Sequence, residues 1–313
     1  MALVIAAAFV FAGAATAQRA VTVDPPAATT APPSATTAPP VATTVQPTDP
    51  STATATQRLT GTAAMRCFGA ASRDPRKRCT NRSLRRVVEP TPDDAVTEPS
   101  EPCTPIRGNP VEACTFGVAA GQARGTIALI GDSHATHWRA ALSVVAEDLH
   151  LRGISITRSG CAFTLAETRG DGRCGGWSRR VLDWLGRRPD ITGVVTSGST
   201  GTRVVAADGL TARGTAIRGI RSVWSELPPA IRDVWVVRDV PHLDWNAAGC
   251  VNAALRAHAA PLECGRPRLE ALPTDFSAVA HRLGAPARVH LLDLTSFMCD
   301  ARRCLSVVGG ALV

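Results

Sequence analysis

Thr126-Ile127-Ala128-Leu129-Ile130, followed by Gly131-Asp132-Ser133-His134, is the stretch that decides the fold. Its first five residues form an unbroken apolar run opening on threonine, the composition of a parallel strand buried on both faces. Gly131 accepts a turn conformation that a β-carbon forbids, so strand can reverse into helix within two residues. Ser133 then falls at the carboxyl edge of a sheet, in the first turn of the next helix, whose free N–H groups suit an oxyanion. A plainer reading stands beside this one. Asp and Ser are preferred helix N-caps, and a bare Gly-Asp-Ser does not by itself separate cap from catalyst.

Outward from this stretch, apolar runs recur at 153–157, 191–197, 232–238 and 288–293. Helical spacing lies between them: Trp138, Leu142, Val145 and Leu149; Val181, Trp184 and Leu185; Ile217, Ile220, Val223, Trp224 and Leu227; Phe276, Val279 and Leu283. The alternation predicts an α/β fold with a parallel five-stranded sheet and helices on both faces. Open sheets of this kind carry their sites beyond the carboxyl ends of the strands, where Ser133, Gly160, Ser197 and Asp239 all fall.

Composition narrows the function. Of 313 residues, 4% are aromatic and none is Tyr, which argues against an aromatic platform for nucleic acid. The formal charge of +8 is carried almost wholly by arginines scattered along the chain, a pattern that reads first as an ordinary solvated Arg-rich surface and fits an envelope polysaccharide or lipid surface better than DNA. Ten cysteines fall into short neighbouring pairs: Cys67 and Cys79, Cys103 and Cys114, Cys161 and Cys174, Cys250 and Cys264, Cys299 and Cys304. An even count at local spacing points to disulfides and an oxidising compartment. Adjacent pairing is the simplest connectivity, although spacing alone does not fix it. No Cys-x-x-Cys or tetrahedral Cys/His spacing occurs, so neither a metal nor another cofactor is expected.

The chain divides by composition. Residues 1–19 are an apolar segment with no charge before Arg19; a signal peptide, a marginally short membrane span and the tail of a transmembrane helix remain open, and each exports the rest of the chain. Residues 20–57 repeat Ala-Thr-Thr-Ala-Pro-Pro, too rich in proline to pack, and read as a disordered tether. Residues 58–124 read as a disulfide-stapled lead-in, and 125–313 as the α/β domain.

Five segments in order carry a resemblance: Ala128-Leu-Ile-Gly-Asp-Ser-His-Ala-Thr-His-Trp138, Ser159-Gly-Cys-Ala-Phe163, Pro189-Asp-Ile-Thr-Gly-Val-Val195, Val234-Trp-Val-Val-Arg-Asp-Val-Pro-His242 and Phe297-Met-Cys-Asp-Ala-Arg-Arg-Cys304. Together they resemble the extracytoplasmic SGNH-hydrolase-like domain at the C-terminus of bacterial acyltransferase-3 type membrane O-acyltransferases. The resemblance implies an SGNH/flavodoxin-like three-layer sandwich. It also implies Ser133 as catalytic nucleophile and an oxyanion hole built from the backbone N–H groups of Ser133 and Gly160. The implied reaction moves an acyl group, acetyl by expectation, through a serine ester onto hydroxyls of a cell-envelope carbohydrate. Its partner would be a membrane acyltransferase domain as acyl donor, and nucleic acid has no part in it. The location would be extracytoplasmic, membrane-anchored through residues 1–19 or secreted. The alternatives are a secreted carbohydrate esterase or deacetylase, or a truncated non-catalytic carbohydrate-binding module.

Two departures from the family pattern stand out. Where the third block brings an asparagine to the oxyanion hole, this chain reads Val195-Thr196-Ser197-Gly198-Ser199. The family's closing Asp-x-x-His, with the general base, does not occur after Cys304, so the domain reads as truncated and the chain as nearly inactive. Asp239-Val240-Pro241-His242 is the one internal match, in a different loop. His134 and His137 read as substrate-edge or solvent-facing residues, and His258, His281 and His290 as surface or packing residues.

Overall fold

The computed structural model describes residues 66–77, 79–97, 102–169, 174–244 and 246–313. The expectations for residues 1–19 and 20–57 lie outside these.

Seven strands form the central sheet: β1 (Thr104–Pro105), β2 (Cys114–Gly117), β3 (Gly125–Gly131), β4 (Leu151–Thr157), β5 (Ile191–Ser197), β6 (Asp233–Val237) and β7 (Val289–Leu292). Their spatial order is β1-β2-β4-β3-β5-β6-β7. Strands β4, β3, β5, β6 and β7 are mutually parallel and match the five apolar runs read from the sequence. The expected five-stranded sheet is therefore corrected to seven strands. The additional two come from the 58–124 segment, where β1 and β2 pair antiparallel and β2 pairs antiparallel with β4. Physically, β4 would otherwise present an unpaired edge beneath packed helices, and β2 occupies its backbone groups. Two- and four-residue strands carry too little periodicity to read in advance.

Helices α1 (Ser133–His137), α2 (Arg139–Asp148), α3 (Trp177–Gly186), α4 (Ala212–Glu226), α5 (Ala247–Arg256) and α6 (Phe276–Arg282) connect or flank these strands. Because side chains alternate along a strand, each strand feeds two cores. Ala128, Ile130, Ile154, Ile156, Val194, Val234 and Val236 pack with Trp177, Val181 and Leu185 of α3 and Val223 and Trp224 of α4. Leu129, Val195, Trp235 and Val237 face the other way, against Leu142, Val145 and Ala146 of α2. The sheet is thus covered on both faces, as its near-continuous apolar runs require. Helix α5 was not legible as a helical stripe, because Val251 is the one residue it buries.

All five neighbouring cysteine pairs are disulfide-bonded: Cys67–Cys79, Cys103–Cys114, Cys161–Cys174, Cys250–Cys264 and Cys299–Cys304. They suggest an extracytoplasmic location, since reducing compartments do not sustain such bridges. Among the described residues no helix is long and apolar enough to cross a membrane.

The Cys161–Cys174 bridge spans 13 residues between β4 and α3, beside the turn that carries Gly160. Replacing both cysteines by serine is expected to lower unfolding stability by roughly 2–4 kcal/mol, by freeing the unfolded chain. Urea denaturation with the other four bridges intact measures this; an unchanged midpoint would show that the bridge does not constrain the fold.

Candidate active site

Registers bring the strand ends level. Gly131 closing β3 pairs with Thr157 closing β4 and with Ser197 closing β5. The chain runs from β3 to β4 on one side and then crosses to β5 on the other, so β3 and β5 flank the topological switch point where open sheets form their crevice. Gly131 has φ 153°, and a β-carbon there would lie 2.0 Å from the Ser197 carbonyl oxygen. No other residue fits that approach between the two strand ends.

Asp132 is the N-cap of α1 and is 1% exposed. Its Oδ1 accepts the His134 backbone N–H at 2.9 Å, and its Oδ2 accepts the Ser199 backbone N–H at 2.8 Å. The carboxylate thus caps the helix and ties the loop after β5 to the turn after β3. Ser133, the first residue of α1, is half-buried. Its hydroxyl has no hydrogen-bond partner among the described residues, and its N–H sits where a helix has no internal acceptor. Past the end of β4, Gly160 adopts φ 75° and is exposed. Its N–H reaches no backbone carbonyl among the described residues. Both groups expected at an oxyanion hole therefore stand at carboxyl strand ends without a competing backbone acceptor.

The segment aligned with the family's asparagine behaves differently. Ser199 contributes its backbone N–H to Asp132, while its hydroxyl accepts the Gly201 N–H at 3.1 Å. The Ser197 hydroxyl is buried and has no hydrogen-bond partner among the described residues. Behind this segment lies a cavity of about 60 Å³ whose walls include Ser197, Thr200, Phe163 and Trp224 but not Ser133.

A second cluster centres on Asp239, 3% exposed, two residues beyond β6. Its Oδ1 lies 2.5 Å from His134 Nδ1. Its Oδ2 receives the Thr200 N–H at 2.7 Å and the Thr200 hydroxyl at 2.9 Å, and lies 2.9 Å from His242 Nε2. The Asp239 N–H in turn donates to Asp275 Oδ2 at 2.9 Å. Burial opposes the Asp239 charge, but the hydrogen bonds from His134, Thr200 and His242 prevail and hold its carboxyl at about 2. For His134 the hydrogen bond to Asp239 raises the pKa; burial opposes it, and the charges of Asp239 and Asp132 reinforce it. His137 stacks on His134 with ring centroids 5.3 Å apart.

The sequence thus placed Ser133, Gly160 and Asp239 at strand ends, while Asp239-Val240-Pro241-His242 stood out only as an internal match to the family's closing pattern, in a different loop. It missed the contact between His134 and Asp239, which are 105 residues apart. The available signal was topological: both follow strands that end at the same edge of the sheet. Elsewhere His281 reaches the Val289 carbonyl and His290 reaches Asp233.

The two shifts act in opposite pH ranges. The depressed Asp239 stabilises the fold above about pH 4 and loses that contribution as pH falls toward 2. The raised His134 stabilises the fold below about pH 6.5 and loses its contribution as pH rises through the folded-state value. Stability owed to the pair is therefore greatest between roughly pH 4 and 6.5. Asp239→Asn is expected to lower stability at pH 5 by on the order of 2 kcal/mol and to flatten both flanks of the profile. Denaturation midpoints from pH 3 to 9 test this, and an identical profile for the variant would contradict it.

No curated protein matches the sequence. A model of the SGNH domain (fused to AT3 domains) matches residues 97–313, from ahead of β1 to the C-terminal residue. With that match covering more than half of the chain, and with Gly131-Asp132-Ser133 at the switch point of a mostly parallel sheet, this protein belongs to the family of SGNH domains fused to AT3 domains.

Proposed function

We propose that this chain is the extracytoplasmic, esterase-like domain of an O-acyltransferase system, passing an acyl group through Ser133 to hydroxyls of a cell-envelope carbohydrate. The family's fusion to AT3 domains makes a membrane acyltransferase the natural source of the acyl group. An acetyl group is the proposed cargo.

The supporting observation is Ser133 itself: a hydroxyl without a partner among the described residues, at the switch point, beside a free helix-start N–H. In the first half-reaction the Ser133 oxygen attacks the donor carbonyl, and the N–H groups of Ser133 and Gly160 stabilise the negative charge on the carbonyl oxygen. The donor leaves with the proton that the serine gave up. In the second half-reaction a carbohydrate hydroxyl attacks the ester, its proton returns to the serine oxygen, and the acylated carbohydrate departs. Residues 1–19 would supply membrane attachment if retained.

Transfer requires a base that takes the Ser133 proton. No histidine hydrogen-bonds the Ser133 hydroxyl among the described residues. The same observation favours the non-catalytic carbohydrate-binding reading as the second choice. A fluorophosphonate probe is expected to label residues 1–313 weakly, with labelling confined to Ser133 and lost in Ser133→Ala. Adding a C-terminal segment bearing the family's Asp-x-x-His should raise labelling by several orders of magnitude, because triad members act as a unit. Strong labelling without that segment, abolished by His242→Ala, would move the base role to His242. No labelling even with the segment would favour the binding module.

A further inference from the structure

We propose that His134, Asp239 and His242 form a binding site for one divalent cation of the zinc class. One ligand atom from each of the three lies within 4.8 Å of the others, and the nitrogens facing the Asp239 carboxylate are Nδ1 of His134 and Nε2 of His242. Ligand atoms about 2 Å from a shared zinc ion stand roughly 3.3 Å apart in a tetrahedron, so small side-chain movements complete the shell. Two imidazoles and one carboxylate are a donor set suited to zinc, and three protein ligands leave the fourth position for water.

The rest of the molecule supports this assignment. Asp239 is held before any ion arrives, by Thr200 on Oδ2 and by Asp275 on its own N–H, which is the outer-shell support a metal ligand needs. The His134 and His242 side chains are 21% and 32% exposed, so the cluster opens to solvent on the side where an ion and its water would enter. A second carboxylate stands close by: Asp132 Oδ1 accepts the His134 backbone N–H at 2.9 Å. The ten cysteines are all bridged, so no thiolate competes for the metal. The expectation of no metal rested on cysteine and Cys/His spacing and did not address a cluster assembled from the first turn of α1 and the loop after β6.

In the bound state Nδ1 of His134 and Nε2 of His242 present lone pairs to the ion. The groups facing His134 are Asp239 beyond β6, Asp132 in its own turn, His137 stacked on it and His242 at a ring-centroid distance of 5.8 Å. The site does not depend on the serine chemistry, although it borders Ser133.

The test is a titration of the full chain, free of any histidine tag, with zinc chloride against a chromophoric chelator at pH 8. One zinc per chain is expected. His134→Ala, Asp239→Asn and His242→Gln should each weaken binding by at least about tenfold, and Thr200→Ala by about tenfold through Asp239. His242→Gln retains a donor for Asp239, so loss of zinc without loss of fold isolates the ligand role; circular dichroism monitors the fold. Ser133→Ala should bind zinc unchanged even though it loses probe labelling, which separates this proposal from the acyl-transfer reading. Absence of stoichiometric zinc at pH 8, or zinc retained in a His134→Ala/His242→Gln double variant, would overturn the site and leave Asp239 as a hydrogen-bonded anchor for two imidazoles.

Discussion

The Asp132 carboxylate joins the two halves of the sheet edge. Buried to 1% exposure, it accepts one N–H from the helix it caps and one from the loop after β5. A charge so deeply buried is tolerable only when its oxygens are hydrogen-bonded, and here two backbone N–H groups meet that need. The interaction fixes the turn that presents Ser133 and also the Ser197–Thr200 segment. That segment supplies Thr200 to Asp239, so the second cluster depends on the first.

Capping by Asp132 and presentation of Ser133 at the strand end are therefore compatible readings of Gly131-Asp132-Ser133. Asp132 is an N-cap, and because it is, Ser133 becomes the first helical residue with its N–H free and its side chain at the crevice. Gly131 makes the arrangement sterically feasible by letting the Ser197 carbonyl approach where a β-carbon would stand. Each of the three residues contributes through its own side chain, or the lack of one, and no substitution preserves all three contributions.

Asp239 governs the electrostatics of the edge. Its charge is sustained by four donors drawn from two loops and a helix, and it orders His134 and His242 in return. Two imidazoles converging on one carboxylate form a stronger hydrogen-bonded network than either pair alone.

Local sequence was enough for much of this. Continuous apolar runs specify strands buried on both faces whatever their neighbours, so the five parallel strands could be read directly from the chain. Short cysteine spacings left neighbouring pairing as the simplest connectivity, and Gly131-Asp132-Ser133 carries its turn chemistry within three residues. Tertiary structure decided what depends on strand order and on distant partners. The β1–β2 extension exists because β4 has an edge to cover, a need that Cys114–Gly117 does not announce. The contacts of Asp239 with His134 and Thr200 arise because strands β3, β5 and β6 end side by side, bringing together residues 105 and 39 positions apart. Periodicity and spacing record what a residue does within its own segment, whereas the partners of a buried charge are set by which segments the sheet places next to each other.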